Sequence, residues 1–334
     1  MKLAKYIFAG AMLLTAPAMA DELKMATIAP GTTTYRTTAT FATIINQNQD
    51  DFSIILDATG AAPKHMMELA QGKLDIAVSS PVMFDFMKNQ KGMFEKISSA
   101  PELSNNLRLL MWFPYGQNHI VVSADSDIKT LEDIRGKKVF LGPPGGGAWT
   151  ASYDWLKAAS GLDLHNGDYE DFKGSWASGM QAFQDGQVDV YIAGAVAPAP
   201  SIEQLAVTKK IRLLGLSKEE WDANTAAHEF IEANMGRDLG VIRMGIYNDN
   251  VEIAHDIYAL SNRLGMVLPT DMDEDLAYRI TKTYWDNVDA VAETSPWLKD
   301  ITLEYAVAEG GIKLHPGALR YYEERGVAIP EGSR

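Results

Sequence analysis

Short apolar runs alternate with longer amphipathic stretches along most of the chain, a pattern that predicts an α/β protein. Lys24–Ala29 is a mostly apolar run with the length of a strand, and it leads through Pro30 and Gly31 into a threonine-rich helix start. A later helix ends at Gly72, because glycine is the usual residue just past a helix C-terminus. Leu74–Val78 then has the composition of a buried strand.

The same order of features occurs again 114 residues further along the chain. Lys138–Pro143 is again a strand-like run that leads into a glycine turn. Gly31 precedes Gly72 by 41 residues, and Gly145 precedes Gly186 by the same 41 residues. Any α/β protein repeats strand–helix–strand units, but matched spacing over several landmarks indicates an internal repeat. The sequence therefore predicts two similar α/β lobes.

Two other apolar segments are expected to connect these lobes. Asn118–Ser123 has the composition of a strand that crosses from one lobe to the other, and Leu264–Leu268 is a plausible return. The predicted first lobe comprises residues 21–120 and 266–334, and the predicted second lobe comprises residues 121–265. Two crossing strands act as a hinge, so closure of the lobes would bury whatever lies between them.

Residues 1–20 have the features of a secretory signal peptide. Lys2 and Lys5 form a basic start, Ile7–Leu14 is apolar, and Ala18-Met19-Ala20 resembles a cleavage site. The apolar stretch is shorter than the roughly 20 residues needed to span a bilayer, although an uncleaved N-terminal anchor remains the alternative. We expect cleavage after Ala20 and a periplasmic protein.

Composition excludes several classes of function. The chain has no cysteine, which excludes disulfides, cysteine-ligated zinc, iron–sulfur clusters and cysteine nucleophiles. Its formal net charge of -14 has the wrong sign for binding nucleic acid. The six histidines lack metal-ligand spacing, and the acidic run Asp271–Asp275 is interpreted as a helix start rather than a calcium loop. No cofactor and no metal are predicted.

The candidate ligand-binding residues lie where predicted strands end and helices begin. Ligands of α/β proteins bind at the carboxyl ends of parallel strands, and helix N-termini there offer free N–H groups to anions. For the threonines and for one of the two serines, helix capping is the alternative role, and for the tryptophan it is an ordinary core position. The candidates are Thr33, Thr34, Tyr35, Arg36, Thr59, Gly60, Ser79, Ser80, Gly145, Gly146, Gly147, Ala148, Trp149, Tyr191 and Gly194.

A set of ordered motifs is spread along nearly all of the chain after residue 20. They are Gly31-Thr-Thr-Thr-Tyr35, Thr59-Gly60, Glu68-Leu-Ala-Gln-Gly72-Lys-Leu-Asp75-Ile-Ala, Leu131-Glu-Asp-Ile-Arg-Gly136-Lys-Lys-Val139, Gly142-Pro-Pro-Gly145-Gly-Gly-Ala148, Ala182-Phe-Gln-Asp-Gly186-Gln-Val-Asp189, Gly194-Ala-Val-Ala-Pro198, Gly311-Ile-Lys-Leu-His315-Pro316-Gly317-Ala and Tyr321-Tyr322. Together and in this order, these motifs resemble the TAXI family of TRAP-transporter solute-binding proteins.

The resemblance implies a two-lobed periplasmic binding protein fold of a type II-like kind. It also implies a receptor without enzymatic activity that captures a small organic anion, of the glutamate, dicarboxylate or 2-oxoacid class, in the cleft between the lobes. The partners would be the TRAP membrane permease subunits, which an ion gradient drives, and we expect a monomer. A receptor for an ABC importer, a ligand sensor for a membrane kinase and a periplasmic enzyme are the alternatives.

Two motifs depart from the family pattern. The first loop usually carries paired tyrosines, whereas here Tyr35 is followed by Arg36. The second loop usually reads Gly-Ser-Gly-Thr, whereas Gly145–Ala148 lacks both hydroxyl groups. Arg36 could supply a cation for a carboxylate in place of the lost donors, and the alternative is that it faces solvent.

Overall fold

The computed structural model describes residues 21–30, 32–233 and 235–334. The expected signal peptide at residues 1–20 and the predicted glycine turn at Gly31 therefore lie outside the described residues. Within the described ranges, no helix has the length and apolar character needed to cross a membrane.

The described residues alternate between strands and helices. The strands are β1 Asp21–Ala26, β2 Phe52–Asp57, β3 Ala77–Ser79, β4 Leu107–Ser123, β5 Lys138–Phe140, β6 Glu170–Asp171, β7 Val190–Ala195, β8 Ile211–Leu214, β9 Arg237–Ile242, β10 Val251–Glu252 and β11 Ile257–Pro269. The helices are α1 Thr33–Asn48, α2 Ala62–Ala70, α3 Pro81–Lys88, α4 Ala100–Ser104, α5 Gly147–Ser160, α6 Trp176–Gln184, α7 Pro200–Leu205, α8 Lys218–Ala223, α9 Thr225–Glu232, α10 Glu274–Ala292, α11 Leu303–Ala306 and α12 Pro316–Glu324. Short 3-10 turns occupy Gly92–Phe94, Glu132–Ile134, Leu164–Asn166, Pro296–Asp300 and Glu331–Ser333.

Two separate hydrophobic cores give the molecule its two lobes. The first core is built from residues 23–113 together with residues 266–322, so both ends of the described chain contribute to it. The second core is built from residues 120–260. The predicted α/β class with two lobes is therefore confirmed.

The long strands β4 and β11 run through both lobes side by side. They pair antiparallel from Arg263–Pro114 to Pro269–Leu107. The Leu107 end of β4 belongs to the first core and the Val122 end to the second core. The apolar segments expected to cross between the lobes lie within these two strands.

The structure repeats the 114-residue spacing at the level of single hydrogen bonds. Asp75 Oδ2 accepts a hydrogen bond from the Lys24 amide at 2.7 Å. Asp189 Oδ2 accepts one from the Lys138 amide at 2.8 Å. Each aspartate therefore holds the neighbouring parallel strand through the same kind of hydrogen bond. We refer to residues 21–79 as the first unit and to residues 138–195 as the second unit.

The glycines that end the equivalent helices also adopt the same conformation. Gly72 has φ +70° and Gly186 has φ +72°, the left-handed region that favours glycine. The Gly72 amide donates to the Leu69 carbonyl at 2.9 Å, and the Gly186 amide donates to the Phe183 carbonyl at 3.1 Å. These contacts satisfy helix-end carbonyls in both units.

Candidate functional site

A cavity of about 490 Å³ lies between the two lobes. Loops that follow β1, β2, β3, β5 and β6 border it, together with the first turns of α1, α2, α3, α5 and α6. Residues of β4, β9 and β11 complete the lining. Helix N-termini from both lobes therefore converge on one space.

The helix starts around the cavity differ in how their first N–H groups are satisfied. Thr32 caps α1 by accepting from the Tyr35 amide, and Ser80 caps α3 by accepting from the Met83 amide. The α5 cap residue is Gly146, which has no side chain to accept from the first turn. The α2 cap residue Ala61 also makes no side-chain cap, but Pro63 removes one N–H group from the first turn of that helix. The first turn of α5 is therefore the one best able to donate its amides to an anion.

Arg237 lies on β9 and lines the cavity. Its Nη1 donates to the Phe230 carbonyl at 2.9 Å, and its guanidinium stacks 3.8 Å from the centre of the Phe230 ring. Burial lowers the pKa of Arg237, while the nearby Asp154 acts in the opposite direction. The distance of 3.6 Å from its Nη2 to Asp154 Oδ2 is longer than a hydrogen bond. This guanidinium therefore retains donors for a ligand.

Arg263 lies on β11 and also lines the cavity. Its Nη2 donates to Asp238 Oδ1 at 3.0 Å, and its Nη1 donates to the Glu309 carbonyl at 2.8 Å. Its Nε is buried without a hydrogen-bond partner among the described residues. A buried cationic donor without a partner lowers the stability of the fold. An acceptor atom on a ligand would supply the missing hydrogen bond.

Tyr115 on β4 contributes a further polar group to the cavity lining. Burial raises the pKa of Tyr115 to about 12, so its hydroxyl stays protonated at neutral pH and can donate a hydrogen bond. Its ring packs against Gly194, where a Cβ atom would lie 2.1 Å from the ring. Gly194 therefore positions Tyr115.

Seven of the residues predicted from the sequence line the cavity. They come from the α1 start, the loop after β2, the end of β3 and the α5 start, and they meet across the two lobes. They are Thr34, Gly60, Ser79, Ser80, Gly146, Gly147 and Ala148. The Thr34 hydroxyl is buried without a hydrogen-bond partner in the described part of the chain.

The other predicted residues do not line this cavity. Thr33 is buried within α1 and Tyr35 is half-buried on the same helix. Arg36 stacks 4.5 Å from the centre of the Trp297 ring, and burial lowers its pKa. Thr59 Oγ1 donates to Asp57 Oδ1 at 2.6 Å in an exposed turn.

The remaining second-lobe candidates serve local packing. Trp149 Nε1 donates to Asp171 Oδ2 at 3.1 Å, and its ring stacks on Tyr153. Tyr191 is buried in the second core, where its ring stacks on Phe140 at 5.3 Å. Gly145, with φ +73°, is an exposed turn residue.

Sequence reasoning missed Tyr115, Arg237, Asn262 and Arg263, which all line the cavity. Asn262 and Arg237 are paired across β11 and β9, and this pairing brings the polar groups together. No motif or glycine turn marks these positions in the sequence. Their place at the site follows from strand register alone. Among the described residues, no group of three or more His, Asp or Glu side chains has metal-binding geometry.

A sequence model of the NMT1-like family matches residues 25–326. The chain belongs to the NMT1-like family. This match covers almost all of the described residues, including both lobes and every residue that lines the cavity.

Solved structures of similar fold are distant in sequence. The periplasmic aliphatic sulphonate binding protein SsuA from Escherichia coli is 14% identical, with a TM-score of 0.48 over 92% of this chain and 89% of that chain. A TRAP periplasmic solute binding protein from Ralstonia eutropha H16, with bound (S)-2-acetolactate, is 15% identical, with a TM-score of 0.45 over 92% and 86%. An ancestral arginine-binding protein is 14% identical, with a TM-score of 0.47 over 85% and 99%. Likeness at this level concerns the fold and says nothing about the ligand of this chain.

Proposed function

We propose that this protein is a solute receptor that captures a small organic acid in the cavity between its lobes. The observation that carries the proposal is the convergence of helix N-termini from both lobes with Arg237 and Arg263 on one cavity. Partial positive charge at the helix starts and the fork of a guanidinium both favour a carboxylate. The site holds the ligand and performs no chemistry on it.

Both lobes contribute contacts to a ligand in this position. The second lobe offers the uncapped amides of the α5 start, and the first lobe offers the buried Thr34 hydroxyl. A ligand that satisfies both sets of groups links the lobes, so binding favours the closed arrangement. The strands β4 and β11 serve as the hinge in this proposal, with boundaries near residues 120 and 266.

The proposed physiological role is delivery of the acid to a TRAP membrane permease of the TAXI type. Membership of the NMT1-like family and the ordered motifs from Gly31 to Tyr322 support this assignment. The protein would act in the periplasm as a monomer after removal of residues 1–20. In vesicles that contain the cognate permease, receptor-dependent uptake should require an ion gradient and no ATP. Uptake that requires ATP would assign the receptor to an ABC importer instead.

Binding itself is testable without the permease. Protein that has been unfolded, washed and refolded to remove any bound ligand is titrated with small organic acids while its thermal stability is monitored. An acid present at 100 times its dissociation constant should raise the unfolding free energy by about 2.7 kcal/mol. An unchanged melting temperature with every acid would refute the receptor proposal.

A further inference from the structure

We infer that the acid has a single carboxylate and a sizeable apolar body. This inference rests on the proposed receptor function and specifies the class of ligand. It follows from the distribution of polar and apolar side chains along the cavity, which differs between its two ends.

The polar end of the cavity lies beside the first residue of α3. A Cβ atom built on Gly236 would lie 2.3 Å from Pro81 Cγ, so the backbone that precedes Arg237 touches the start of that helix. Asn262 is the strand partner of Arg237, and Arg263 follows it. The backbone positions of Arg237 and Arg263 therefore lie at the end of the cavity nearest Pro81.

The apolar end lies further along the same helix. Phe86 is five residues beyond Pro81, a distance of about 7.5 Å along a helix axis. The Phe86 ring packs on Gly92, where a Cβ atom would lie 2.7 Å from it, and Met93 follows in the chain. The cavity has an apolar lining from α2, α3 and the 3-10 turn Gly92–Phe94. These side chains are Ala62, Pro63, Val82, Met83, Phe86 and Met93.

Charge is absent from the apolar end among the described residues that line the cavity. The charged members of the lining are Asp154, Arg237 and Arg263. Asp154 faces Arg237 at 3.6 Å, so it belongs to the polar end as well. A second carboxylate that reached towards Phe86 would lose its water without gaining a partner.

Cavity size and side-chain type favour a bulky apolar body. A volume of about 490 Å³ lies within the range of about 300–1,000 Å³ that is typical of pockets for drug-sized ligands. Met83 and Met93 are flexible side chains that adapt to apolar groups of different shape. The two arginines and their two aspartate partners cancel in formal charge, so these groups leave no excess positive charge for a second carboxylate.

The test compares acids of matched length by calorimetric titration of refolded protein. Each added methylene from butanoate to octanoate should increase affinity about fourfold, as expected for burial of a CH₂ group. Hexanoate should bind at least about tenfold more tightly than adipate, which has a second carboxylate on a chain of the same length. Tighter binding of adipate than of hexanoate would overturn the inference and leave the receptor proposal intact. Binding of no acid from any series would refute both.

A pair of variants locates the apolar end. Met93→Gln keeps the side-chain length but adds an amide at the cavity, whereas Met244→Gln makes the same change at a residue that is 61% exposed and does not line it. Met93→Gln should weaken octanoate binding about tenfold and leave butanoate binding unchanged. Met244→Gln should change neither. Equal loss for both acids, or no loss for octanoate, would contradict the assignment of this end; a melting curve confirms that each variant is folded.

Discussion

The first and second units are built on the same hydrogen-bond framework but differ where each meets the cavity. Asp75 and Asp189 hold equivalent strands, and equivalent glycines end equivalent helices. At the cavity, α1 begins with a threonine cap, whereas α5 begins with a glycine that has no side chain. The repeat is therefore preserved where it builds the sheets and has diverged where it can contact a ligand.

The last strand of each unit pairs with one of the two long strands, and these pairs also combine similar and different residues. Val78 of β3 pairs with Met266 of β11, and the equivalent Ile192 of β7 pairs with Ile120 of β4. One position further, Ser79 pairs with Gly265, whereas Ala193 pairs with His119. The strand paired with the second unit, β4, therefore has a buried titratable group where the strand paired with the first unit, β11, has glycine.

The largest expected effect concerns this histidine. Burial lowers the pKa of His119 from 6.5 to about 4. Because the folded state takes up this proton less readily than the unfolded chain, His119 supports folding fully above about pH 6.5. Its contribution, about 3 kcal/mol, is lost as the pH falls from 6.5 to 4.

His119→Gln removes this titration from β4. Urea unfolding at pH 7 and pH 4.5 measures the effect, and the variant should lose clearly less stability between the two than the native protein. His165→Gln, a change at a histidine of a 3-10 turn, serves as the control. Equal pH dependence in the native protein and in His119→Gln would contradict the assignment.

The next effect sharpens the comparison of the two helix starts. A Cβ atom on Gly147 would lie 3.5 Å from Met83 Cε, across the cavity. Gly147→Leu places a larger side chain in this space and should weaken binding of the best acid about a hundredfold. Gly147→Ala makes only an ordinary contact and should change the affinity little. Titration calorimetry measures both, and retained affinity in Gly147→Leu would place the ligand elsewhere.

The two equivalent aspartates make the same kind of hydrogen bond but differ in burial, so variants at these positions measure the effect of burial on stability. Both accept a hydrogen bond from the strand they hold, but Asp75 is half-buried and Asp189 is exposed. Asp75→Ala should lower the free energy of unfolding by about 2 kcal/mol and Asp189→Ala by about 1 kcal/mol. Chemical denaturation measures both values. A larger loss at Asp189 would contradict the claim that burial sets the size of the loss.

The smallest expected effect lies within α1. Thr34 has a buried hydroxyl without a partner among the described residues, whereas Thr38 Oγ1 donates to Thr27 Oγ1 at 2.8 Å. Thr34→Val should therefore leave stability unchanged or raise it by up to about 1 kcal/mol while it weakens ligand binding. Thr38→Val should lower stability by about 1 kcal/mol. Loss of stability in Thr34→Val without any change in binding would remove Thr34 from the site.

Sequence patterns predicted the framework because the framework is local. Glycines past helix ends and apolar runs are visible within short stretches, and the 114-residue repeat is a comparison of two such stretches. The structure contains the corresponding strands and helices. The α5 start and the Ser79–Ser80 corner were predicted for the same reason, since strand ends and helix starts mark them.

The polar end of the cavity was not predictable in this way. Arg237 reaches it because β9 pairs with β11 in a register that places Asn262 opposite. Tyr115 reaches it within a long strand that has no turn signal. Arg36 was predicted at the site but does not line the cavity. Its guanidinium stacks on Trp297, a residue far away in the sequence, and no local pattern indicates this contact.

The central claim is that the two lobes hold one acid between them, and a crystal structure with the tightest-binding acid tests it most directly. The account predicts a carboxylate within hydrogen-bond distance of Arg237 or Arg263, with the rest of the ligand in contact with both α3 and the start of α5. An acid bound to one lobe only, or outside this cavity, would contradict it.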